Sequence, residues 1–371
     1  MILTADFHIH SLFSMAASKN TTPELLINSC RIKGIDVLGS GDALHPIWRR
    51  MWEEYPYNSE ISIVPSAEVE GKGKVHHLIL MDNFSQAVEI SEKLKPHSLN
   101  IEKAGRPNVI LSGSEIAEIV HECKAYIGPA HAFTPWTGMY GRFGKLSECY
   151  GEEKPDFLEL GLSADTSYGD MISELDGIPF LSNSDAHSSM LHKIGREFNR
   201  IKTDSKKPED ILKSITNGDI ILNAGFFPEE GKYNRTACSR CYKHYSLAKA
   251  ESLGWKCPLD NGRIKEGVYD KARSMFDRAE KSKRPPYLHI IPLGEIIKGV
   301  LNLSSPSAKQ CCSLYSQLIS ELGNEISILT DVPTEKISEI NEPVAIAIRR
   351  FREGKINLYP GGGGMYGTFE L

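Results

Sequence analysis

"TADFHIHSLFSMAA", residues 4–17, sets two histidines one residue apart behind a short apolar run. Side chains at i and i+2 of a strand point to the same side, so His8 and His10 can converge on one ion where the strand ends in a pocket. The spacing alone also suits two polar residues on an early strand. Repetition elsewhere favours the ion. "SNSDAHS", residues 182–188, supplies Asp185-x-His187 with the same logic, Glu68 closes "IVPSAE", His77 sits in "VHHLIL" and His131 closes "IGPAH". Imidazole with carboxylate suits Zn, Mn or Fe, and a carboxylate such as Glu68 can bridge two ions. The chemistry implied is hydrolysis, because bound metal lowers the pKa of water to roughly 7 and paired ions clamp the attacking and leaving oxygens of an in-line displacement.

Around these ligands, short β-branched runs such as "GIDVLGSGD" (34–42), "AYIGPAHAF" (125–133) and "DIILNAG" (219–225) alternate with amphipathic segments such as "TPELLINSCRIKG" (22–34) and "PEDILKSITNG" (208–218). That alternation predicts an α/β fold with a parallel sheet or barrel. Nearly every run ends in a polar or ionisable residue: His10, Asp42, Glu68, His131, Ser163, Asp185. In a (β/α) barrel those ends open on one face.

At 371 residues the chain exceeds what one hydrophobic core usually fills, which predicts a large domain with smaller units appended. We place the boundaries at 1–228 for the metal-binding domain, 229–267 for a cysteine unit and 268–371 for a helical C-terminal region with a glycine-rich terminal loop. No run approaches the roughly 18 apolar residues of a membrane span and no signal peptide opens the chain, so a cytoplasmic protein without a membrane partner is expected. The net charge of −5 hides an asymmetry. Residues 1–231 carry 22 Lys+Arg against 33 Asp+Glu, a net −11, and residues 232–371 carry 21 against 15, a net +6. A basic module beside an acidic, histidine-rich one suits a polyanion grip next to a cation-filled site, or a merely solvated surface.

In "CSRCYKHYSLAKAESLGWKCPLD", residues 238–260, the C-x2-C pair followed fifteen residues later by C-P-x-D reads as a small zinc ribbon with ligands Cys238, Cys241, Cys257 and Asp260. Arg240 and Lys243 would lie on its basic surface. Cys30 and Cys123 fall in helical patterns as small buried thiols. "GPAHAFTPWTGMYGRFGK", residues 128–145, follows His131 with aromatics and glycines; Trp136 and Tyr140 could stack on a base or plug the barrel rim. The four glycines of "YPGGGGMYG" (359–367) must form a loop, either flexible or closely approached by something.

"DFHIHS", "SAE", "VHHLIL", "GPAH" and "SDAH" resemble the successive motifs of the polymerase and histidinol phosphatase (PHP) superfamily, whose fold is a distorted seven-stranded (β/α) barrel around a trinuclear metal centre. The resemblance implies His8, His10, Glu68, His77, His131, Asp185 and His187 as ligands, with Asp185, Glu68, His8 and His10 carrying the chemistry. Asp42 in "GSGDALHP" stands where many members have a histidine, His45 being a second choice, and a further histidine is missing from "SLFSMAA". Two or three divalent ions, Zn, Mn or Mg, are therefore expected. His76 neighbours His77 and must face the other way, which assigns it to packing or to supporting the metal ligands from behind. His121 reads as a helix residue satisfied by its surroundings.

Together with "KYNRTACSRCY", "LGWKCP", "GRIKEGV", "RPPYLH", "GNEISIL" and "YPGGGGMYG", the chain resembles the archaeal endonuclease Q family over essentially its full length. That resemblance implies a DNA repair endonuclease that nicks 5′ to uracil, hypoxanthine or an abasic site and leaves a 3′-hydroxyl and a 5′-phosphate. Ser163 could then hydrogen-bond the base edge or cap a turn, and the glycine loop could follow the DNA backbone. A sliding clamp is a further partner to consider, although "GTFEL", residues 367–371, holds no convincing clamp-binding motif. A phosphatase acting on a small metabolite, a silent nucleic-acid scaffold and a 3′-5′ exonuclease are the competing readings.

Overall fold

The structure, a computed structural model, describes residues 1–56 and 60–370; Leu371, the last residue of the segment considered for a clamp, lies outside them. The first ten strands are β1 (Ile2–Asp6), β2 (Val37–Gly39), β3 (Ser62–Val64), β4 (Ser66–Glu70), β5 (His76–Leu80), β6 (Tyr126–Pro129), β7 (Leu158–Glu159), β8 (Phe180–Leu181), β9 (Phe198–Lys202) and β10 (Ile220–Gly225). The short pair β11 (Ala237–Cys238) and β12 (Ile264–Lys265) frames the cysteine unit, and β13 (Tyr287–His289), β14 (Asn357–Tyr359) and β15 (Thr368–Glu370) follow. The largest sheet has the order β13-β10-β9-β1-β2-β3.

The expected α/β architecture is present, but the sheet is not parallel throughout. β1, β2 and β3 run parallel. "SIVPSAEVE" breaks at Pro65 into β3 and β4, which belong to different sheets. β5 is antiparallel to both β4 and β6; between β4 and β5, residues 71–75 are too few for a crossover and can only close a hairpin. β9 is antiparallel to both β1 and β10. Ligands therefore reach the centre from the starts of strands as well as from their ends.

Local signals set the helices. Helix Pro23–Lys33 begins with Thr22 accepting from the Leu25 N–H and Pro23 in its first turn, and stops at Gly34 in the left-handed region. Helix Gly113–Glu122 carries a full capping box between Ser112 and Glu115.

The C-terminal region carries helices Leu293–Val300, Lys309–Leu322, Glu325–Thr330, Thr334–Ile340 and Glu342–Arg352, which pack onto the N-terminal part of the chain. "RPPYLHIIPLG", whose prolines suggest a connector, delivers β13, which pairs with β10 in parallel. Leu293, Ile297, Ile328, Val344 and Phe351 share one apolar core with Ile9, Leu26, Ile27 and Ile35. Lys33 and Glu325, both 1% exposed, form an ion pair of 2.7 Å across that junction.

Candidate metal centre

β1 runs into His8 and His10, both buried, and the turn after β8 brings Asp185 to them. His10 Nε2 lies 3.2 Å and His8 Nε2 3.7 Å from Asp185 Oδ1. A second triad is Glu68, His76 and His131: Glu68 Oε1 is 2.8 Å from His76 Nδ1 and 2.9 Å from His131 Nε2. Glu68 touches both triads, its Oε2 lying 3.4 Å from His10 Nε2.

His76, not His77, faces the centre. β5 is antiparallel to β6, so its first residue lies beside the loop that carries His131, and the strand's alternation sends His77 to the opposite face. There His77 Nδ1 and the Tyr150 hydroxyl are hydrogen-bonded at 2.8 Å, while Nε2 has no partner. Burial, with His76 nearby, lowers the His77 pKa to about 3, so the ring is neutral. The pairing of one histidine in with one out was legible; which was which depended on strand direction.

Asp42 does not point at the centre either. Its Oδ1 is 3.0 Å from His10 Nδ1, and its Oδ2 accepts from the Ser11 N–H, the Ser11 hydroxyl and the Ser14 hydroxyl. With both oxygens engaged, it holds the ring of His10. His45 caps helix Pro46–Glu54 against Phe13 and takes no part. Glu159 and Glu70, neither evident as functional in the sequence, do for His8 and His76 what Asp42 does for His10, at 2.9 Å to His8 Nδ1 and 3.3 Å to His76 Nε2. A carboxylate behind a histidine fixes its tautomer and turns the other nitrogen toward a metal. His187 lies at the rim with its ring 4.4 Å from that of His10, and its Nδ1 is 3.0 Å from the Asp185 carbonyl, which leaves Nε2 as the acceptor.

The donor set fits divalent metals. His8 Nε2, His10 Nε2 and Asp185 Oδ1 are buried without hydrogen-bond partners and converge on one another. Burial opposes protonation of His8, yet Glu159, Asp185 and Glu68 raise its pKa to about 9. Burial likewise opposes ionisation of Glu68, but His76, His10 and His131 hold its carboxyl well below the usual range. A buried cage that draws protons this strongly is a cage built for cations. Asp185 and His131 sit at φ +46° and +32°, a region that costs of order 1–3 kcal/mol per residue and clusters at functional sites. Two arginines without a motif also reach the site. Arg106 Nη1 is 2.9 Å from Glu68 Oε2, and Arg196 Nε donates to the Ser184 carbonyl.

Of the residues expected to meet substrate, Trp136 is half exposed, packs edge-on to Tyr233 at 4.8 Å and lies under Lys265. It lines a cleft of about 490 Å³ with Trp255, Arg263 and Lys271. Tyr140 packs into the wall of the same cleft: it is buried against Phe133 and donates its hydroxyl to Glu174 at 2.7 Å. Ser163 lies in the turn after β7 that the Ala164 N–H closes onto the Gly161 carbonyl.

The cysteine unit gathers Cys238, Cys241, Cys257 and Asp260 with all donor atoms within 4.8 Å of one another. Cys241 and Cys257 sulfurs are 3.6 Å apart without a disulfide. The backbone N–H of Gly262 and the surrounding thiols hold Asp260 at a pKa of about 2, ionised as a ligand must be. Arg240 and Lys243 lie on its exposed surface. The glycine loop neither frays nor offers its amides outward. Gly361, Gly362 and Gly364 N–H groups donate to Glu229, Met365 and Lys232 carbonyls. Gly363, at φ +67°, passes so close to the Cys238 carbonyl that a Cβ would collide with it.

Fold and site together define an α/β protein built around a centre for divalent metals. Residues 292–355 match the family model described as the MJ0043 C-terminal domain. The uncharacterised protein MJ0043 of Methanocaldococcus jannaschii is 45% identical over 253 residues, which are 65% of this chain but only 31% of that relative. The lesion-specific endonuclease PfuEndoQ of Pyrococcus furiosus is 44% identical with a TM-score of 0.97, over 100% of this chain and 96% of that one. An endonuclease Q in complex with a 27-mer duplex carrying an abasic lesion at the active site is also 44% identical, with a TM-score of 0.93 over 100% and 97% of the two chains. The chain belongs to the endonuclease Q family. Among the described residues, no helix is long and apolar enough to cross a membrane.

Proposed function

We propose that this protein is a metal-dependent DNA repair endonuclease that cuts the phosphodiester 5′ to a deaminated base or an abasic site, leaving a 3′-hydroxyl and a 5′-phosphate. The carrying observation is the full-length likeness to endonuclease Q, including the form bound to an abasic duplex, in a chain whose own buried histidines and carboxylates converge on two cation positions. His8, His10 and Asp185 would hold one ion, and Glu68, His76 and His131 another, with His187 at the rim of the first. Zn, Mn and Mg are the ions to test. When bound, such ions lower the pKa of water and neutralise charge on the departing oxygen. Around them, Arg106 and Arg196 offer positive charge to a phosphate. Trp136, with Lys265 and Arg263 beside it, offers a stacking and cationic surface to DNA, to which Arg240 and Lys243 add charge. Ser163, in the turn after β7, would meet the edge of an extruded base or cap that turn.

On end-labelled duplexes with one central uracil, hypoxanthine or abasic site, the wild type should make a single cut 5′ to the lesion. Undamaged duplex and Asp185→Ala should show none. Trimming of every duplex from its 3′ end would replace this reading with an exonuclease, and silence with Mg, Mn and Zn alike would turn attention to small phosphoesters.

The cysteine unit is proposed as a structural zinc ribbon in which Asp260 is the fourth ligand. Carboxylate is a harder donor than thiolate, so Asp260→Cys should slow zinc loss to a chelator, and Cys257→Ser should abolish zinc retention and lower the melting temperature. Zinc content after dialysis against EDTA, measured by mass spectrometry, checks both. Equal retention in the wild type and Cys257→Ser would remove the ribbon assignment.

A further inference from the structure

Two of the carboxylates behind the metal-facing histidines each serve one ring. Asp42 backs His10, and Glu70 backs His76. Glu159 is different. It is 1% exposed, and both of its oxygens face His8 Nδ1, at 3.0 and 2.9 Å. The same Oε2 accepts the backbone N–H of His131 at 2.7 Å, and Oε1 accepts from Asn183 Nδ2 at 2.8 Å, two residues before Asp185. The Glu159 main-chain carbonyl accepts the Ala132 N–H at 2.7 Å, so both peptide N–H groups flanking the His131 carbonyl carbon end on one residue. His131 needs such a clamp, because its backbone sits at φ +32°, outside the conformation that a histidine adopts unaided. Gly161, just beyond β7 at φ +74°, brings the chain so close that a Cβ would collide with His131.

We propose that Glu159 is the positioning residue that fixes the two metal-binding triads relative to each other. Through one carboxylate it keeps the Nδ1 proton on His8, which turns Nε2 toward the first cation position. It also sets the backbone of His131, which belongs to the second, and steadies the segment that delivers Asp185. The inference rests on the metal-centre reading above and is independent of which substrate is cut.

The test uses the full chain, stripped of metal and titrated with Co²⁺, followed by visible absorption and calorimetry. Thiolate charge-transfer bands report the cysteine unit separately from the histidine centre. Glu159→Gln keeps the shape but not the charge, and both equivalents at the histidine centre should bind about 10- to 100-fold more weakly, with the cysteine-unit signal unchanged. Glu159→Asp keeps the charge but withdraws the carboxylate by one methylene, so it should also weaken both equivalents, and it stands in if the Gln variant does not fold. Wild-type Co²⁺ affinity in a folded variant, even one of lower melting temperature, would reduce Glu159 to a structural role. Weakening at one equivalent alone would overturn the shared clamp. Because no DNA enters the measurement, failure of the nicking assay would leave this result standing.

Discussion

His76→Ala should abolish metal-supported cleavage at the lesion, whereas His77→Ala should keep it. In His76→Ala the Glu68–His131 pair loses its third donor, and affinity at that position should fall by more than the roughly 100-fold typical of losing a partner one shell further out. In His77→Ala the loss is a buried ring and its hydrogen bond with Tyr150, worth about 2–4 kcal/mol of stability, with the metal donors untouched. The two alanines thus separate cleanly, one in Co²⁺ titration and nicking rate, the other in denaturant midpoint. Equal loss of metal from both, or loss from His77→Ala alone, would reverse the assignment of the two strand faces.

Removing either partner of the Lys33–Glu325 pair should destabilise the whole chain by about 3–5 kcal/mol, because the other charge stays buried without compensation. Glu325 is the costlier loss: its Oε1 also accepts the Leu293 N–H at 3.0 Å, and its Oε2 accepts the Tyr315 hydroxyl at 2.6 Å. Lys33→Met combined with Glu325→Leu should cost less than the two single changes summed, since no lone charge remains. Denaturant unfolding would check this, and because the pair joins helix Pro23–Lys33 to the C-terminal helices in one core, the N-terminal and C-terminal probes should lose structure together. Additive effects, or a C-terminal region that melts alone, would contradict a shared core.

The sequence by itself determined the α/β class, most of the histidines and carboxylates that converge, and the cysteine cluster. His8-x-His10 and Asp185-x-His187 carry that information in the period of the strand, and C-x2-C with C-P-x-D carries it in the reach of a short knuckle, so neither needs a partner from afar to be read. Capping residues such as Thr22, Ser112 and Gly34 are local in the same sense. Only the tertiary structure decided direction and depth. Whether β5 enters the sheet parallel or antiparallel chooses His76 over His77. Whether Asp42 meets an ion or the ring of His10 depends on Ser11 and Ser14 closing over it. Whether Trp136 faces solvent while Tyr140 fills the rim depends on Glu174, thirty-four residues beyond Tyr140. Glu159, Arg106 and the docked glycine loop belong to the same kind. Their roles come from contacts between residues far apart in the chain, which no spacing in a one-dimensional pattern records.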